Sequence, residues 1–255
     1  TSTLKMSQEG VFIYPEEAFL YDAKTDKKTS LNNQQLPDLL KPIDPFVWNN
    51  VRYSEATYNF DLSRAVYARK DGQMVLWDLI NQKEITRFSG IFRSVDGPVW
   101  SPSGDKFAVF SPSDQEDWNN NSILALEDEE LWLVDKDGHK KRLTYLAESE
   151  NRHFLSNITW SPDGEKIALW IHSNNDWRSR LAVFDLKSNV LTNYCIAGPG
   201  DDAWAYWSPD GNSVAIPQKI TQGMDDIFIT VIVDFKKHQA YVVDEENGPA
   251  GWMKE

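Results

Sequence analysis

The chain has 255 residues, enough for one large repeat domain or two ordinary ones with a substantial core. Its 39 acidic and 26 basic residues leave a net charge of -13, which excludes a general basic field for nucleic-acid phosphates or an anionic membrane. A single cysteine, Cys195, excludes an intramolecular disulfide and a thiolate metal cluster, and its apolar setting reads as a buried, inert thiol.

Gly10-Val11-Phe12-Ile13-Tyr14 reads as a strand stopped by Pro15, and Ala18-Phe19-Leu20-Tyr21-Asp22 as another, followed by a turn and a short edge strand over residues 28–31. Residues 32–55 carry Pro37, Pro42 and Pro45 without a clean period, and read as a long connection with one helical turn near residues 36–40. Then a phrase begins to recur. Val99-Trp100-Ser101-Pro102-Ser103-Gly104 is followed by an apolar strand at 107–110; Thr159-Trp160-Ser161-Pro162-Asp163-Gly164 and Tyr206-Trp207-Ser208-Pro209-Asp210-Gly211 behave alike. An earlier unit has the same build, with Phe60 expected in the tryptophan place and Asp61-Leu62-Ser63 in place of Ser-Pro-x.

Each phrase is strand, turn, strand, and two more strands follow it. The third strand of each unit ends in aspartate (Asp22, Asp78, Asp135, Asp185, Asp234), where a carboxylate can bond the backbone two residues on and start a turn. A four-stranded sheet cannot bury both faces alone, so five such units at a spacing of 40 to 60 residues predict stacked blades. The expected fold is an all-β propeller of four-stranded antiparallel blades, in one domain. The blades are expected at 1–31 with 250–255, then 56–90, 97–146, 157–197 and 204–244. Gly248-Pro249-Ala250-Gly251-Trp252 echoes Gly97-Pro98-Val99-Trp100, so Trp252 is expected to supply the innermost strand of the N-terminal blade; residues 4–9 are the rival for that place.

On Trp160, Trp207 and Trp100 with their turns, the repeat resembles that of TolB-like propellers, also found in the propeller of the prolyl-oligopeptidase family. Asp71-Gly72-Gln73-Met74-Val75-Leu76-Trp77-Asp78 is similar to a WD-repeat strand. The resemblance covers nearly the whole chain and implies a fold and a bacterial, extracytoplasmic setting (periplasmic or secreted). Within it Trp100, Trp160, Trp207, Gly104, Gly164 and Gly211 are structural residues, which say little about a ligand.

Chemistry is scarce. There is no Gly-x-Ser-x-Gly elbow, the four histidines have no zinc-ligand spacing, and Asp135-Lys136-Asp137-Gly138 lacks the glutamate that would complete a calcium loop. No cofactor or metal is expected. Asp61, Asp163 and Asp210 sit at the repeat turn, where they hold backbone. Asn120 and Asn157 match the short glycosylation pattern.

Topology points elsewhere. Loops joining second and third strands share a face with the loops between blades, and they lengthen at residues 111–130, 173–180 and 218–226. Two of them carry Asp-Trp, at Asp117-Trp118 and Asp176-Trp177, with His153, His172 and Trp204 expected nearby. Tryptophan combines a large contact area with a polar handle, which suits a binding surface. The expectation is a non-enzymatic scaffold that engages a protein, a peptide or a surface glycan on this face, with no nucleic acid and no membrane insertion. The alternatives are a glycan-active enzyme with channel carboxylates and a structural module of a larger assembly.

Overall fold

In the computed structural model the described residues are 3–7, 10–14, 18–22, 27–31, 56–68, 73–89, 98–112, 129–148, 153–173, 179–197, 204–222, 225–249 and 251–252; below residue 56 only the backbone is described. All regular structure among them is antiparallel strand apart from one 3-10 turn at Leu146–Glu148. Near the N-terminus β1 (Thr3–Ser7) pairs with β2 (Gly10–Tyr14), and β3 (Ala18–Asp22) pairs with β4 (Lys27–Leu31). Four four-stranded sheets follow in strict chain order. The first is β5 (Ala56–Tyr58), β6 (Arg64–Ala68), β7 (Gln73–Asp78) and β8 (Lys83–Ser89); the second is β9 (Val99–Trp100), β10 (Lys106–Pro112), β11 (Glu129–Asp135) and β12 (Lys140–Arg142). The third is β13 (His153–Trp160), β14 (Lys166–Ser173), β15 (Ser179–Asp185) and β16 (Val190–Ala197); the fourth is β17 (Tyr206–Trp207), β18 (Ser213–Gln222), β19 (Asp225–Asp234) and β20 (Gln239–Asp244).

The repeated turn explains itself through its hydrogen bonds. The amide of Ser161 donates to Lys166 O, the amide of Gly164 donates to Ser161 O, and Ser161 Oγ accepts from the Lys166 amide at 2.8 Å. Ser208, Gly211 and Ser213 repeat this pattern. In the earliest four-stranded sheet Asn59 does the serine's work: its amide donates to Arg64 O and its Oδ1 accepts from the Arg64 amide at 2.8 Å. Tyr58 therefore holds the tryptophan place, two residues before the expected Phe60, which lies on the turn 78% exposed. Leu62 takes the glycine place with φ +56°, beside +71°, +70° and +66° at Gly104, Gly164 and Gly211. Where their side chains are described, the aspartates that end the third strands also act as expected. Asp78 Oδ1 accepts from the Ile80 and Asn81 amides, Asp185 Oδ1 from Lys187 and Ser188, and Asp234 Oδ1 from Lys236 and Lys237.

Alternation along each strand sends one set of side chains to the preceding sheet and the other to the following one. Val66, Met74 and Leu76 meet Phe107, Val109, Trp132 and Val134 of the next sheet. Ala108, Phe110 and Leu131 meet Ile158, Ile167, Leu169 and Phe184. Trp170, Leu181 and Val183 meet Trp207, Val214, Ile229 and Val231. The core is thus a series of layers between sheets, which is how sheets that cannot bury two faces alone become stable.

The turns stack as well. A Cβ built on Gly104 would lie 3.2 Å from the Phe60 amide nitrogen, whereas one on Gly211 would find nothing nearer than 3.6 Å. Gly104→Ala thus meets both left-handed strain and the neighbouring backbone, and Gly211→Ala mainly strain. Gly211→Ala is expected to cost about 1–2 kcal/mol and Gly104→Ala at least about 1 kcal/mol more, read from urea midpoints. Equal costs would refute the close approach.

Two further expectations need correction. The strand beside Gly10–Tyr14 is Thr3–Ser7, with Leu4 opposite Ile13, so the N-terminal rival holds the place expected for the C-terminal segment. Trp252 lies in no strand, and its Nε1 donates to Tyr206 O at 2.8 Å. Trp160 Nε1 donates to Val99 O and Trp207 Nε1 to Thr159 O in the same manner, each time to the residue before the preceding sheet's aromatic. Trp252 thus behaves as a repeat tryptophan set against the last sheet. The second correction concerns residues 218–226, expected as a loop. β18 and β19 stay paired to Gln222 and Asp225, because Ile220, Thr221, Ile227 and Phe228 are strand formers in register. The expected helical turn near 36–40 and the Cys195 side chain lie outside the described residues and side chains.

Candidate functional site

The end of the sheets that carries the second-to-third-strand connections and the inter-sheet connections is the candidate site. Asp117, Trp118, Asp176 and Trp177 lie outside the described residues. His153 and His172 are at this end, where β13 begins and β14 finishes, with His153 opposite Ser173 and Phe154 opposite His172. Both histidines are buried. His153 Nε2 is 2.7 Å from Glu129 O, and His172 Nε2 is 2.6 Å from Ser156 Oγ. The His172 ring stacks on Phe154, centroid to centroid 4.2 Å. They are packed beneath the face and do not form its contact surface.

Under the same face lie two glutamates that the sequence reading missed. Glu129 and Glu130 open β11 and are fully buried. Glu129 Oε2 accepts from the Leu155 amide at 2.8 Å, tying one sheet to the next. Glu130 Oε1 accepts from Arg142 Nη2 at 2.8 Å and from the Ala147 amide at 2.9 Å, while Oε2 accepts from Thr144 Oγ1. Thr144 Oγ1 in turn accepts from the Leu131 amide at 2.8 Å. The connection over residues 143–148 is therefore fastened to β11 by a charge-assisted network. The available signal was an acidic pair entering the apolar run Leu131-Trp132-Leu133-Val134, with Arg142 on the adjacent strand.

The carboxylates that might have suggested chemistry are committed to the fold. Asp163 Oδ1 accepts from Ser161 Oγ and the Glu165 amide. Asp210 accepts from Ser208 Oγ, the Asn212 side chain and the Asn212 amide. The Ser208 hydroxyl first, then the Asn212 side chain and amide, hold the Asp210 carboxyl down at about 2. At Asp163 desolvation pushes upward, but the Ser161 hydroxyl and Glu165 amide outweigh it and the carboxyl sits below its ordinary range. Asn157 is buried with φ +56°, which leaves its amide closed to glycosylation in the folded chain. Among the described residues no group of three or more His, Cys, Asp or Glu is placed to hold a metal ion. No helix among them is long and apolar enough to cross a membrane.

Among the described residues this end presents several exposed apolar and aromatic side chains beside the charged Glu148 and Lys219. Trp204 and Tyr145 belong to the connections that enter one sheet and leave another, and Ile220 and Phe228 to the extended β18–β19 hairpin; all four are more than a third exposed. Arg142 lies over the Tyr145 ring, 4.2 Å from its centroid, so the clamp that binds Glu130 also steadies an exposed aromatic. Trp204 was expected here; Tyr145, Ile220 and Phe228 were not. Tyr145 follows the basic strand Lys140–Arg142, and its exposure comes from a connection that no strand period describes.

Stacked four-stranded antiparallel sheets in chain order define a β-propeller, and solved structures agree. The chain is similar to TolB from Acinetobacter baumannii (TM-score 0.52, 18% identity), with 97% of this chain and 52% of that one covered. It is similar to a prolyl endopeptidase (TM-score 0.57, 14% identity, 96% of this chain and 36% of that one) and to the tricorn protease (TM-score 0.51, 11% identity, 95% and 25%). The chain spans about half the length of that TolB and less of the two peptidases. At these identities the likeness establishes the fold alone, a β-propeller. No protein-family model matches the chain, and no curated protein matches it in sequence.

Proposed function

We propose that this chain is a non-enzymatic binding propeller whose partner, a protein, a peptide or a surface glycan, docks on the long-loop end. The observation that carries this is the exposure of Tyr145, Trp204, Ile220 and Phe228 at one end of the sheets, with a buried network fixing the backbone beneath Tyr145. Exposed aromatic groups on a rigid base are what a docking surface needs, because little side-chain entropy is lost on contact. Trp118 and Trp177 belong to this reading only by their place in the sequence, between β10 and β11 and between β14 and β15. The repeat's likeness to the TolB-like family supports a place outside the cytoplasm, which fractionation of the host cell tests.

The experiment is capture from host extract with the purified chain, followed by quantitation of the identified partner. Trp204→Ala with Phe228→Ala is expected to leave far-UV circular dichroism unchanged and to weaken capture at least about tenfold, since exposed aromatic anchors carry most of an interface's energy. Undiminished capture by a folded variant that also carries Trp118→Ala and Trp177→Ala would refute the assignment of this face.

A further inference from the structure

The outermost strand of the last sheet differs from those before it at matching positions. Opposite the residue two before the third-strand aspartate stand Thr86, Lys141, Thr192 and Tyr241 in the four successive sheets. One step further along stand Arg87, Arg142, Asn193 and Val242. Three sheets thus place polar or charged residues at these positions, with Arg87, Lys141, Thr192 and Asn193 exposed and Arg142 turned to Glu130, and exposed polar side chains blunt an open strand edge against pairing. The fourth places Tyr241, Val242 and Val243, exposed by 45%, 48% and 53%. Over Gln239–Val243 there is no charge and no proline, and among the described strands β20 pairs with β19 alone. Among the described residues its outer edge is an unpaired strand edge, with exposed apolar side chains on both faces.

The ends of this strand are charged with opposite signs. Lys236 and Lys237 precede it, and Asp244, Glu245 and Glu246 close and follow it. A second copy laid antiparallel along β20 brings the lysine end of each strand to the acidic end of the other; a parallel copy would set like against like. We propose that β20 is a self-association edge: two copies pair β20 to β20 about a two-fold axis near Tyr241, joining their last sheets into one eight-stranded antiparallel sheet. Such an interface is isologous and closes as a dimer. It lies on the propeller's perimeter, and it stands or falls independently of the long-loop end.

The test uses the purified 255-residue chain in analytical ultracentrifugation at low salt, from about 1 to 100 μM. The expected species is a dimer of twice 29.3 kDa. Val242→Lys, at an exposed position, is expected to give a folded monomer by the same measurement with an unchanged circular dichroism spectrum. Lys236→Glu with Lys237→Glu in one chain, and Glu245→Lys with Glu246→Lys in another, are each expected to be monomeric alone and to dimerise when mixed. The lysine changes remove the Lys237–Asp234 ion pair but leave the bonds from the backbone amides of residues 236 and 237 to Asp234, so an unchanged circular dichroism spectrum is required of this chain too. A parent chain that stays monomeric at 100 μM overturns the proposal. So does a Val242→Lys dimer as tight as the parent's, a charge-reversed chain that dimerises alone, or a mixture that fails to pair.

Discussion

Glu130→Ala is expected to lose about 3–5 kcal/mol of stability, the usual cost of removing one partner from a buried ion pair. Glu130 is fully buried and receives three hydrogen bonds, from Arg142, Thr144 and the Ala147 amide. Alanine takes the Glu130 carboxylate from a largely buried guanidinium, leaves the Thr144 hydroxyl and Ala147 amide without this acceptor, and opens space at the root of β11. Because Ala147 and Thr144 belong to the connection leading to the next sheet, the damage is expected at the junction and not within one sheet. Urea unfolding followed by tryptophan fluorescence measures the loss. Glu130→Gln keeps the shape and one acceptor, and should fall between parent and alanine. Replacing Glu130 by Leu together with Arg142 by Met should cost less than Glu130→Ala alone, since the pair's desolvation is removed with the pair. Glu148→Ala, at an exposed position nearby, should stay within about 0.5 kcal/mol of the parent. An alanine variant at Glu130 within 1 kcal/mol of the parent would mean that the network is ornamental.

What the sequence made legible was whatever repeats. The Trp-Ser-Pro-x-Gly phrase located the inner strands at Val99–Trp100 and Tyr206–Trp207, and the third-strand aspartates located the turns, because those residues answer to local backbone geometry alone. Where the phrase was degenerate, local reading slipped. Phe60 looked like the missing tryptophan because it is large and aromatic, whereas the register depends on which side chain can accept from the amide five residues on; Asn59 can, and Tyr58 before it becomes the packed aromatic. Trp252 was legible as a repeat residue but not in its partner, since the carbonyl it meets belongs to Tyr206, 46 residues earlier. The long-loop end was least legible. His153 and His172 read as candidate contacts from their position, but burial depends on what lies over them, and a sequence period reports only which way a side chain leaves its strand. Glu129 and Glu130 fell at the end of the expected loop 111–130 and drew no reading, because their partners lie 12 to 26 residues away.

Acid is expected to unfold the chain through its aspartates. The carboxyls of Asp61, Asp78, Asp105, Asp135, Asp163, Asp185, Asp210, Asp234 and Asp244 all sit below the ordinary value of 3.8 in the fold. The causes are local and repeated. At Asp61 the Ser63 hydroxyl leads; at Asp185, Asp234 and Asp244 the backbone amides of Ser188, Lys237 and Glu246 lead. At Asp78, Asp105 and Asp135 desolvation is the largest influence and acts upward, but hydrogen bonds from Asn81, Ser103 and His139 outweigh it. A group whose folded value is depressed binds fewer protons in the fold than in the unfolded chain between the two values, so its stabilisation is complete above about 3.8 and drains as pH falls through the folded value. The window therefore opens near pH 4 and extends down to about 2, the value at Asp210. Several of these groups are solvent-exposed and salt-screened, so each contributes modestly and the steepness comes from their number. The urea midpoint should change little from pH 7 to about 4.5 and fall steeply below 4. Asp210→Asn, which keeps a side-chain acceptor but cannot titrate, should make that fall shallower, and a carboxyl-carbon titration should place Asp210 near 2. If Asp210 titrates at 3.8 or above, the repeat turn is not held by its carboxylate. A urea midpoint equally high at pH 3 and pH 7 would dismiss the aspartate turns as the chain's acid-sensitive joints.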